Sequence, residues 1–163
     1  MVKILFVCHG NICRSPMAEF VMKRLVEESA GDFEIASAAT STEEIGNPVY
    51  PPARRMLQAH GIDCSGKTAR QMTLRDYEYY DHIILMDRNN LRNLRWILPA
   101  NIYAQETSGN AHSKNCKVSL LMDWADKNRD VADPWYTGDF EATWRDVNEG
   151  CKALLQQILQ DAR

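Results

Sequence analysis

The sequence predicts an α/β fold in which a single domain is built on a parallel β-sheet. Residues 2–7 form a short, mostly apolar and β-branched run, which is typical of a buried strand of a parallel sheet. A polar loop follows, and from Pro16 onward the apolar residues recur at helical spacing. Because strand-like and helix-like segments alternate in this way along the chain, a parallel α/β fold is favoured.

The later elements continue the same alternation. The second, third and fourth predicted strands cover residues 33–38, 82–86 and 117–122. Helices are predicted over residues 51–60, which open with proline and stop before Gly61, and over residues 89–96. Residues 99–115 are predicted to be a loop. A long amphipathic helix closes the domain, because six apolar residues recur at steps of three and four: Phe140, Trp144, Val147, Cys151, Leu154 and Ile158.

Length and composition limit the possible classes of protein. With 163 residues, of which 45% are hydrophobic and 25% charged, the chain has the size and composition of one globular domain, and we predict one domain over residues 1–163. The net charge of −3 creates no global field that would attract nucleic acid or an anionic membrane, so we expect neither partner. No apolar run reaches the roughly 18 residues of a spanning helix, and the first run is too short for a signal peptide. We therefore expect a cytoplasmic, monomeric protein.

The cysteines and histidines indicate reduced thiols and no metal site. The five cysteines are Cys8, Cys13, Cys64, Cys116 and Cys151. An odd number in a chain of this size does not suggest a disulfide framework, and no Cys-x2-Cys pair suggests zinc. We interpret the last three as structural, since a free cysteine commonly behaves as a small hydrophobe. The four histidines have no metal-binding spacing, and we predict that the protein needs no cofactor.

The segment of residues 8–15 has the features of an anion-binding loop. It joins the end of the first predicted strand to the start of the first predicted helix, where open α/β sheets bind ligands. A loop there turns backbone N–H groups inward, and the start of the helix adds the positive end of its dipole. Gly10 and Asn11 suit the bends that such a loop needs, because both tolerate a positive φ.

Within that loop, Cys8 is the candidate nucleophile and Arg14 the candidate phosphate ligand. The amide dipoles and the Arg14 guanidinium favour the thiolate form of Cys8. A guanidinium presents a planar fork that binds two phosphate oxygens and stabilises them during phosphoryl transfer. Ser15 is placed to stabilise the thiolate when it leaves. The Cys-x5-Arg spacing alone has little weight, because chance gives roughly 0.4 occurrences in a chain of this composition. The preceding strand and the following Ser15-Pro16 helix start favour an anion site over a structural turn.

Residues 7–19, VCHGNICRSPMAE, resemble the signature of the low-molecular-weight protein tyrosine phosphatases. Four later segments resemble that family's blocks in the family's order: residues 37–40 (SAAT), 69–71 (ARQ), 81–90 with Met86-Asp87, and 133–136 (DPWY). The resemblance covers nearly the whole chain. It implies a three-layer domain in which helices flank a four-stranded parallel sheet and the phosphate loop joins strand 1 to helix 1.

The resemblance also implies a mechanism and a substrate class. The family hydrolyses phosphotyrosine through a cysteinyl-phosphate intermediate, which makes Asp133 the expected general acid; without the resemblance, Asp133 before proline is only a turn signal. The expected substrates are a phosphotyrosine-containing protein or a small aryl phosphate. Trp135 and Tyr136 are expected to line a cleft for the aromatic ring, with ordinary loop packing as the alternative.

The remaining site residues follow from their place in the loop or, for Trp135 and Tyr136, from the resemblance. The expected substrate- or phosphate-binding residues are His9, Gly10, Asn11, Ile12, Cys13, Ser15, Trp135 and Tyr136. The resemblance further implies that Cys13 protects the nucleophile as a reversible disulfide, so that the enzyme is redox-regulated; packing in the loop is the alternative. It also places Arg70 and Asp87 as a pair that braces the loop.

The chain departs from the family pattern at two places. Residues 42–45, TEEI, stand where relatives often carry a cleft aromatic, which leaves substrate preference open. Lys67 or Thr68 stands where relatives often have a histidine shortly before the Ala-Arg-Gln block, so the support of the loop is expected to differ.

Three rival functions are less favoured. Arsenate reduction on this fold needs two further cysteines near residues 81–90, and that segment has none. The resemblance ties phosphoarginine hydrolysis to a threonine at the position of Ile12, and the branched apolar side chain present here favours an aryl ester instead. A module that only binds phosphate is disfavoured by the presence of Cys8, Arg14 and Asp133 together.

Overall fold

Four parallel strands form the centre of the structure, a computed structural model that describes residues 1–108 and 116–162. The strands are β1 (Val2–Cys8), β2 (Phe33–Ala39), β3 (His82–Leu85) and β4 (Val118–Leu120). Their order across the sheet is β2-β1-β3-β4, and each neighbouring pair is parallel. The prediction of an α/β domain with a four-stranded parallel sheet flanked by helices is therefore confirmed.

Helices connect the strands and cover the sheet. Those in the described ranges are α1 (Arg14–Glu27), α2 (Pro51–Ala59), α3 (Leu74–Tyr79), α4 (Arg88–Asn93), α5 (Ala100–Thr107), α6 (Leu121–Trp124), α7 (Pro134–Thr137) and α8 (Phe140–Asp161). A 3-10 turn, Leu94–Trp96, extends α4. None of the helices in the described part of the chain combines the length and apolarity needed to cross a membrane.

The alternation of β1 side chains creates the three layers. Ile4 and Phe6 point into one core, which is shared with α1, α2 and α8. Leu5 and Val7 point into a second core on the opposite face, where the chain around α3 and α4 packs. All four side chains have no exposed surface, and burying each contributes about 1.5–3 kcal/mol. Because both faces are covered, residues 4–7 of the strand are all apolar.

Helix α8 confirms the predicted amphipathic stripe. Val147, Cys151, Leu154 and Ile158 are buried against the sheet side. Phe140 and Trp144, at the beginning of the stripe, are partly buried against the same core.

Several predicted boundaries differ from the structure. Helix α1 begins at Arg14, two residues before Pro16, with Cys13 as its N-cap. Strand β4 has only three residues, because the chain turns into α6 at Leu121. The prediction of a loop over residues 99–115 is wrong for residues 100–107, which form α5; residues 109–115 lie outside the described residues. Helix α3 was not predicted.

Candidate active site

The loop between β1 and α1 is held in an anion-binding shape by its backbone. Cys8 is the last residue of β1, and Arg14 is the first residue of α1. Asn11 has a φ of 61°, which lies in the left-handed region that Asn adopts more readily than most residues. Gly10, by contrast, does not have a positive φ. No side chain caps the start of α1 among the described residues, so the first amides of the helix face the loop and are available to an anion.

The ends of the neighbouring strands fix the position of this loop. After β2, the N–H of Thr40 donates to the Cys8 carbonyl at 2.9 Å and that of Ser41 to the His9 carbonyl at 3.1 Å. After β3, the Met86 carbonyl accepts a hydrogen bond of 2.9 Å from the N–H of Val131. Segments that are distant in sequence therefore meet at the carboxyl edge of the sheet, where α/β folds bind ligands.

A buried chain of hydrogen bonds runs beneath the loop to Cys8. Asn11 Nδ2 donates to Ser15 Oγ at 2.7 Å and to Ser37 Oγ at 2.9 Å, while Asn11 Oδ1 accepts from the Arg70 N–H at 3.2 Å. Ser15 Oγ lies 3.0 Å from Cys8 Sγ. Asn11, Ser15 and Ser37 are each at most 1% exposed. Since a buried polar group needs a partner, this network holds the loop in one arrangement.

The network continues from Ser37 to a buried carboxylate. Ser37 Oγ donates to Glu19 Oε1 at 2.5 Å. Two lysines contact that carboxylate: Lys23 Nζ at 2.6 Å from Oε2 and Lys67 Nζ at 3.4 Å from Oε1. Lys67 also donates to the Ser37 carbonyl at 2.8 Å. Burial lowers the pKa of Lys67, and the Glu19 carboxylate opposes that shift.

Arg14 is held by three acceptors behind the loop. Its Nη1 donates to Asp87 Oδ2 at 2.7 Å and to the Val131 carbonyl at 2.8 Å, and its Nη2 lies 3.4 Å from Asp133 Oδ2. Only 3% of the Arg14 side chain is exposed. Burial disfavours its charge, but the negative charges of Cys8, Asp87 and Asp133 outweigh that effect and raise the pKa of Arg14. The guanidinium is therefore a fixed cation at this site.

The expected pair of Arg70 with Asp87 is wrong. Arg70 instead makes a two-pronged ion pair with Asp76, at 2.9 and 3.1 Å. Asp76 lies near Arg70 because it closes the capping box at the start of α3. Asp87 caps α4 and turns its other oxygen to Arg14, so it supports the loop through a different arginine.

The candidate site is a cavity of about 420 Å³. Its lining comprises Cys8, His9, Gly10, Ile12, Cys13, Arg14, Glu43, Glu44, Asp133, Trp135 and Tyr136. Asn11 and Ser15, which were expected to bind phosphate, do not line the cavity; they lie beneath the loop and support it. Glu43 and Glu44 come from the segment of residues 42–45 that departs from the family pattern.

Asp133 lies at the cavity beside Arg14. One carboxylate oxygen accepts from the Trp135 N–H at 3.0 Å, so Asp133 caps α7, and Pro134 occupies the first turn. About a quarter of the side chain is exposed. Trp135 and Tyr136 are exposed, and the Trp135 ring lies 5.0 Å from the ring of Tyr50, centroid to centroid. Tyr50 does not line the cavity, but it supports Trp135 from behind, and sequence reasoning missed this contact because only the fold brings the two rings together.

Cys8, Cys13, Cys64 and Cys151 form no disulfide bonds. Burial, with a contribution from the nearby Cys8 charge, raises the pKa of Cys13 to about 12. Burial also raises the pKa of Cys64 and Cys151. Within residues 1–108 and 116–162, no three His, Cys, Asp or Glu side chains come together in a way that could hold a metal ion.

These features define the class of site. A ring of amides at a helix start, with a buried guanidinium, can hold a tetrahedral oxyanion. A thiol at the base of the loop and a carboxyl at the mouth can supply a nucleophile and a proton. An α/β domain with this arrangement at the carboxyl end of its first strand has the site of a phosphatase that transfers the phosphoryl group to a cysteine.

Comparison with known proteins identifies the family. The family model described as low molecular weight phosphotyrosine protein phosphatase matches residues 3–163. The chain is 35% identical to low molecular weight protein-tyrosine-phosphatase YfkJ of Bacillus subtilis (strain 168), with 99% of this chain and 98% of that protein covered. It is 37% identical to the low molecular weight phosphotyrosine protein phosphatase of Mus musculus, with 94% of each chain covered. The crystal structure of YfkJ superposes with a TM-score of 0.85 at 34% identity, covering 100% of this chain and 98% of that one.

The chain therefore belongs to the low molecular weight phosphotyrosine protein phosphatase family. It is a hydrolase and a protein tyrosine phosphatase of that family, and the resemblance seen in the sequence is confirmed.

Proposed function

We propose that the protein hydrolyses phosphotyrosine through a cysteinyl-phosphate intermediate, with Cys8 as nucleophile, Arg14 as phosphate ligand and Asp133 as general acid. The observation that carries the proposal is that these three side chains line one cavity, although Asp133 lies 119 residues after Arg14 in the chain. Residues 1–163 are proposed to form a single phosphatase domain.

In the first step, the phosphate dianion binds the loop amides and Arg14. The Cys8 thiolate attacks phosphorus opposite the ester oxygen, so that an S–P bond forms and the P–O bond to tyrosine breaks. Asp133 gives its proton to the leaving phenolate oxygen, which leaves as tyrosine. Ile12, Trp135 and Tyr136 line the same cavity and supply apolar surface for the aromatic ring.

In the second step, water attacks the phosphorus of the cysteinyl-phosphate. Asp133, now ionised, accepts a proton from that water, the S–P bond breaks and inorganic phosphate is released. The Ser15 hydroxyl, which lies 3.0 Å from Cys8 Sγ, stabilises the departing thiolate.

The role of Cys8 is tested with p-nitrophenyl phosphate and reduced protein. Cys8→Ser is expected to abolish phosphate release while the circular dichroism spectrum stays unchanged. Cys64→Ser is the matched control, because Cys64 is a buried thiol that does not line the cavity. Activity that survives Cys8→Ser would refute the assignment.

The role of Asp133 is tested by Asp133→Asn, which keeps an oxygen to cap α7 but has no proton to give. We expect turnover of a phosphotyrosine peptide to fall by about 100-fold, and that of p-nitrophenyl phosphate by at least tenfold less, because a good leaving group needs less protonation. Equal losses on the two substrates would contradict the role of general acid.

Phosphotyrosine is proposed over phosphoarginine because Ile12 lines the cavity with an apolar side chain. A peptide set that carries phosphotyrosine, phosphoarginine or phosphoserine in one sequence context separates these substrates. The highest kcat/KM is expected for phosphotyrosine.

Redox regulation is proposed through Cys13, whose thiol lines the same cavity as Cys8. A peroxide oxidises Cys8 to the sulfenic acid, and the Cys13 thiol then condenses with it to form a disulfide and water. Wild-type protein treated with hydrogen peroxide should recover activity with dithiothreitol, whereas Cys13→Ser should lose it permanently. Equal recovery would contradict the proposal.

The protein is also proposed to act in the cytoplasm as a monomer. A reducing compartment preserves the free thiols that the mechanism needs. Size-exclusion chromatography with light scattering measures the assembly state, for which a mass near 18.6 kDa is expected.

A further inference from the structure

A positively charged stretch follows β3 in the sequence. Residues 88–105 contain three arginines, Arg88, Arg92 and Arg95, and no lysine, aspartate or glutamate. This stretch therefore carries a charge of +3 in a chain whose net charge is −3, so the other residues together carry −6. A local field of this sign attracts acidic molecules, although the protein as a whole does not.

The three arginines lie on one exposed face of α4 and of the 3-10 turn that extends it. Arg92 follows Arg88 by four residues and Arg95 follows Arg92 by three, a spacing that places side chains on the same side of a helix. All three are exposed, and Trp96 is 53% exposed. Leu94, two residues after Arg92, is fully buried on the opposite side. We call Arg88, Arg92, Arg95 and Trp96 the arginine face.

The charges of the arginine face have no carboxylate partner among residues 1–108 and 116–162. The Arg88 guanidinium donates to Asn128 Oδ1 at 2.7 Å and that of Arg92 to Asn89 Oδ1 at 2.8 Å, so both use neutral acceptors. Within the same ranges, Arg95 forms no ion pair. Arginine and tryptophan are enriched where proteins bind other molecules, and exposed guanidinium groups without a countercharge are available to an acidic partner.

The arginine face begins at the edge of the active site. Asp87, the residue before Arg88, lies 2.7 Å from Arg14 and caps α4. From there the chain continues through six helical and three 3-10 residues. At a rise of about 1.5 Å and about 2.0 Å per residue, these span about 15 Å. An extended peptide covers that distance with about four or five residues. A substrate whose phosphate is bound by Arg14 is therefore long enough to reach the face.

The size of the arginine face decides which kind of partner it suits. A stable protein–protein interface takes about 20–30 residues from each side, whereas this face has only four. It is too small to hold an independent partner. It is large enough for a second contact on a molecule that is already bound nearby, because tethering raises the effective concentration of that contact. The molecule that binds at the adjacent cavity is the phosphorylated substrate.

We propose that the arginine face binds an acidic segment of the substrate protein, which begins about four residues from the phosphotyrosine on one side of it. The inference rests on the proposed function, since it extends the same site and narrows the class of substrate. Carboxylates of the segment pair with the guanidinium groups, and Trp96 supplies apolar surface beside them. Glu43 and Glu44 line the cavity itself, so the acidic residues are placed away from the phosphotyrosine rather than next to it.

The test compares three phosphotyrosine peptides with neutral residues next to the phosphotyrosine. One carries four glutamates that start four residues after it, one carries them at the same distance before it, and one carries glutamines at both places. For the wild type, one of the glutamate peptides should have a KM about fivefold below that of the glutamine peptide, while kcat changes less than about twofold. The difference in KM should disappear in about 0.5 M NaCl, because the contacts are exposed ion pairs.

Two variants and one control locate the effect on the protein. Arg92→Gln with Arg95→Gln should bring the ratio of the two KM values to about one. Arg92→Glu with Arg95→Glu should reverse the preference, so that a peptide with lysines in place of the glutamates has the lower KM. Arg88 is left intact, because it contacts the loop that carries the general acid. Arg55→Gln with Arg75→Gln removes the same charge from exposed positions of α2 and α3 and should keep the wild-type ratio.

Several results would overturn the inference. A KM ratio of about one in the wild type at low salt would do so, as would an equal loss in the Arg55 and Arg75 control or an unreversed preference in the charge-reversed variant. A short RNA oligonucleotide that competes with the acidic peptide more strongly than an unphosphorylated glutamate peptide does would assign the face to nucleic acid instead. p-Nitrophenyl phosphate has no flanking segment, so it separates the two proposals. A wild type that hydrolyses no phosphate ester would refute the proposed function, whereas hydrolysis without a preference among the peptides would refute only the role of the arginine face.

Discussion

Replacement of Gly150 by alanine should destabilise the protein, although alanine normally favours a helix. Gly150 lies inside α8, where alanine normally stabilises a helix by about 1 kcal/mol relative to glycine. A Cβ at this position, however, would lie 2.5 Å from Leu121 Cγ and 2.9 and 3.0 Å from the two Leu121 methyl groups. Leu121 is fully buried in the core, and its Cγ lies close to the backbone, so it cannot easily move aside.

The cost of overpacking exceeds the gain in helix propensity, so the net change in the free energy of unfolding is a loss. Overpacking a core costs about 1–3 kcal/mol, and the short contact to Cγ places this site near the upper end. After the helix-propensity gain of about 1 kcal/mol is subtracted, Gly150→Ala should lower the free energy of unfolding by about 2 kcal/mol. Urea denaturation followed by circular dichroism measures this as a midpoint lower by about 1 M, if the slope is about 2 kcal/mol per molar.

A double-mutant cycle tests the cause of the loss. In a Leu121→Ala background, which itself costs about 2–5 kcal/mol, the added methyl group has room. Gly150→Ala should then stabilise the protein by about 1 kcal/mol, so that its sign reverses. A Gly150→Ala variant that is as stable as the wild type, or one that destabilises both backgrounds equally, would refute the reasoning.

Three further predictions concern the active site. Asp87→Asn should lower the free energy of unfolding, measured by urea denaturation, by about 3 kcal/mol, because it removes a negative charge that is paired with the buried Arg14. An unchanged free energy of unfolding would contradict a stabilising role of the Arg14–Asp87 ion pair. Because the pKa of Cys13 is about 12, only about one molecule in 10,000 carries the Cys13 thiolate at pH 8. Iodoacetamide should therefore label Cys13 only at much higher pH or after unfolding. Rapid labelling of Cys13 in the folded protein near pH 8 would contradict the shift. The double substitution Glu43→Gln with Glu44→Gln removes two negative charges from the lining of the cavity. The ratio of kcat/KM for a phosphotyrosine peptide with acidic neighbours to that for one with basic neighbours should rise about threefold. An unchanged ratio would show that these two charges do not act on the substrate.

The strands and the loop were predictable because their signals are local. A strand buried on both faces is a continuous apolar run, and β1 ends where the polar loop begins. The nucleophile, the arginine and the helix that follows all lie within residues 8–27, so sequence order alone brings them together.

Other elements were missed for identifiable physical reasons. Helix α5, Ala100–Thr107, has only one buried residue, Glu106, so it shows no apolar stripe. Helix α3 has just six residues, and its only sequence signal is the capping box of Thr73 and Asp76. Such short helices are stabilised by tertiary packing and by their caps rather than by propensity.

The supporting contacts of the site could not be derived from spacing. Glu19 and Lys67 lie on different elements, and only the fold brings them into contact. Arg70 was paired with the wrong aspartate, because the sequence does not show which carboxylate a long side chain will reach. The side chains of Asn11 and Ser15 lie beneath the loop, which the sequence did not show because residue type does not distinguish the inner from the outer side of a loop.

The contacts of Arg14 have a consequence for how the protein is made. Arg14 bonds to Val131 and lies beside Asp133, which are 117 and 119 residues further along the chain. During synthesis the N-terminal loop emerges early, but its guanidinium gains these partners only after most of the chain has been translated. A nascent or truncated chain that stops before residue 131 therefore carries the cysteine without a completed anion site, and enzymatic activity becomes a measure of whole-chain folding.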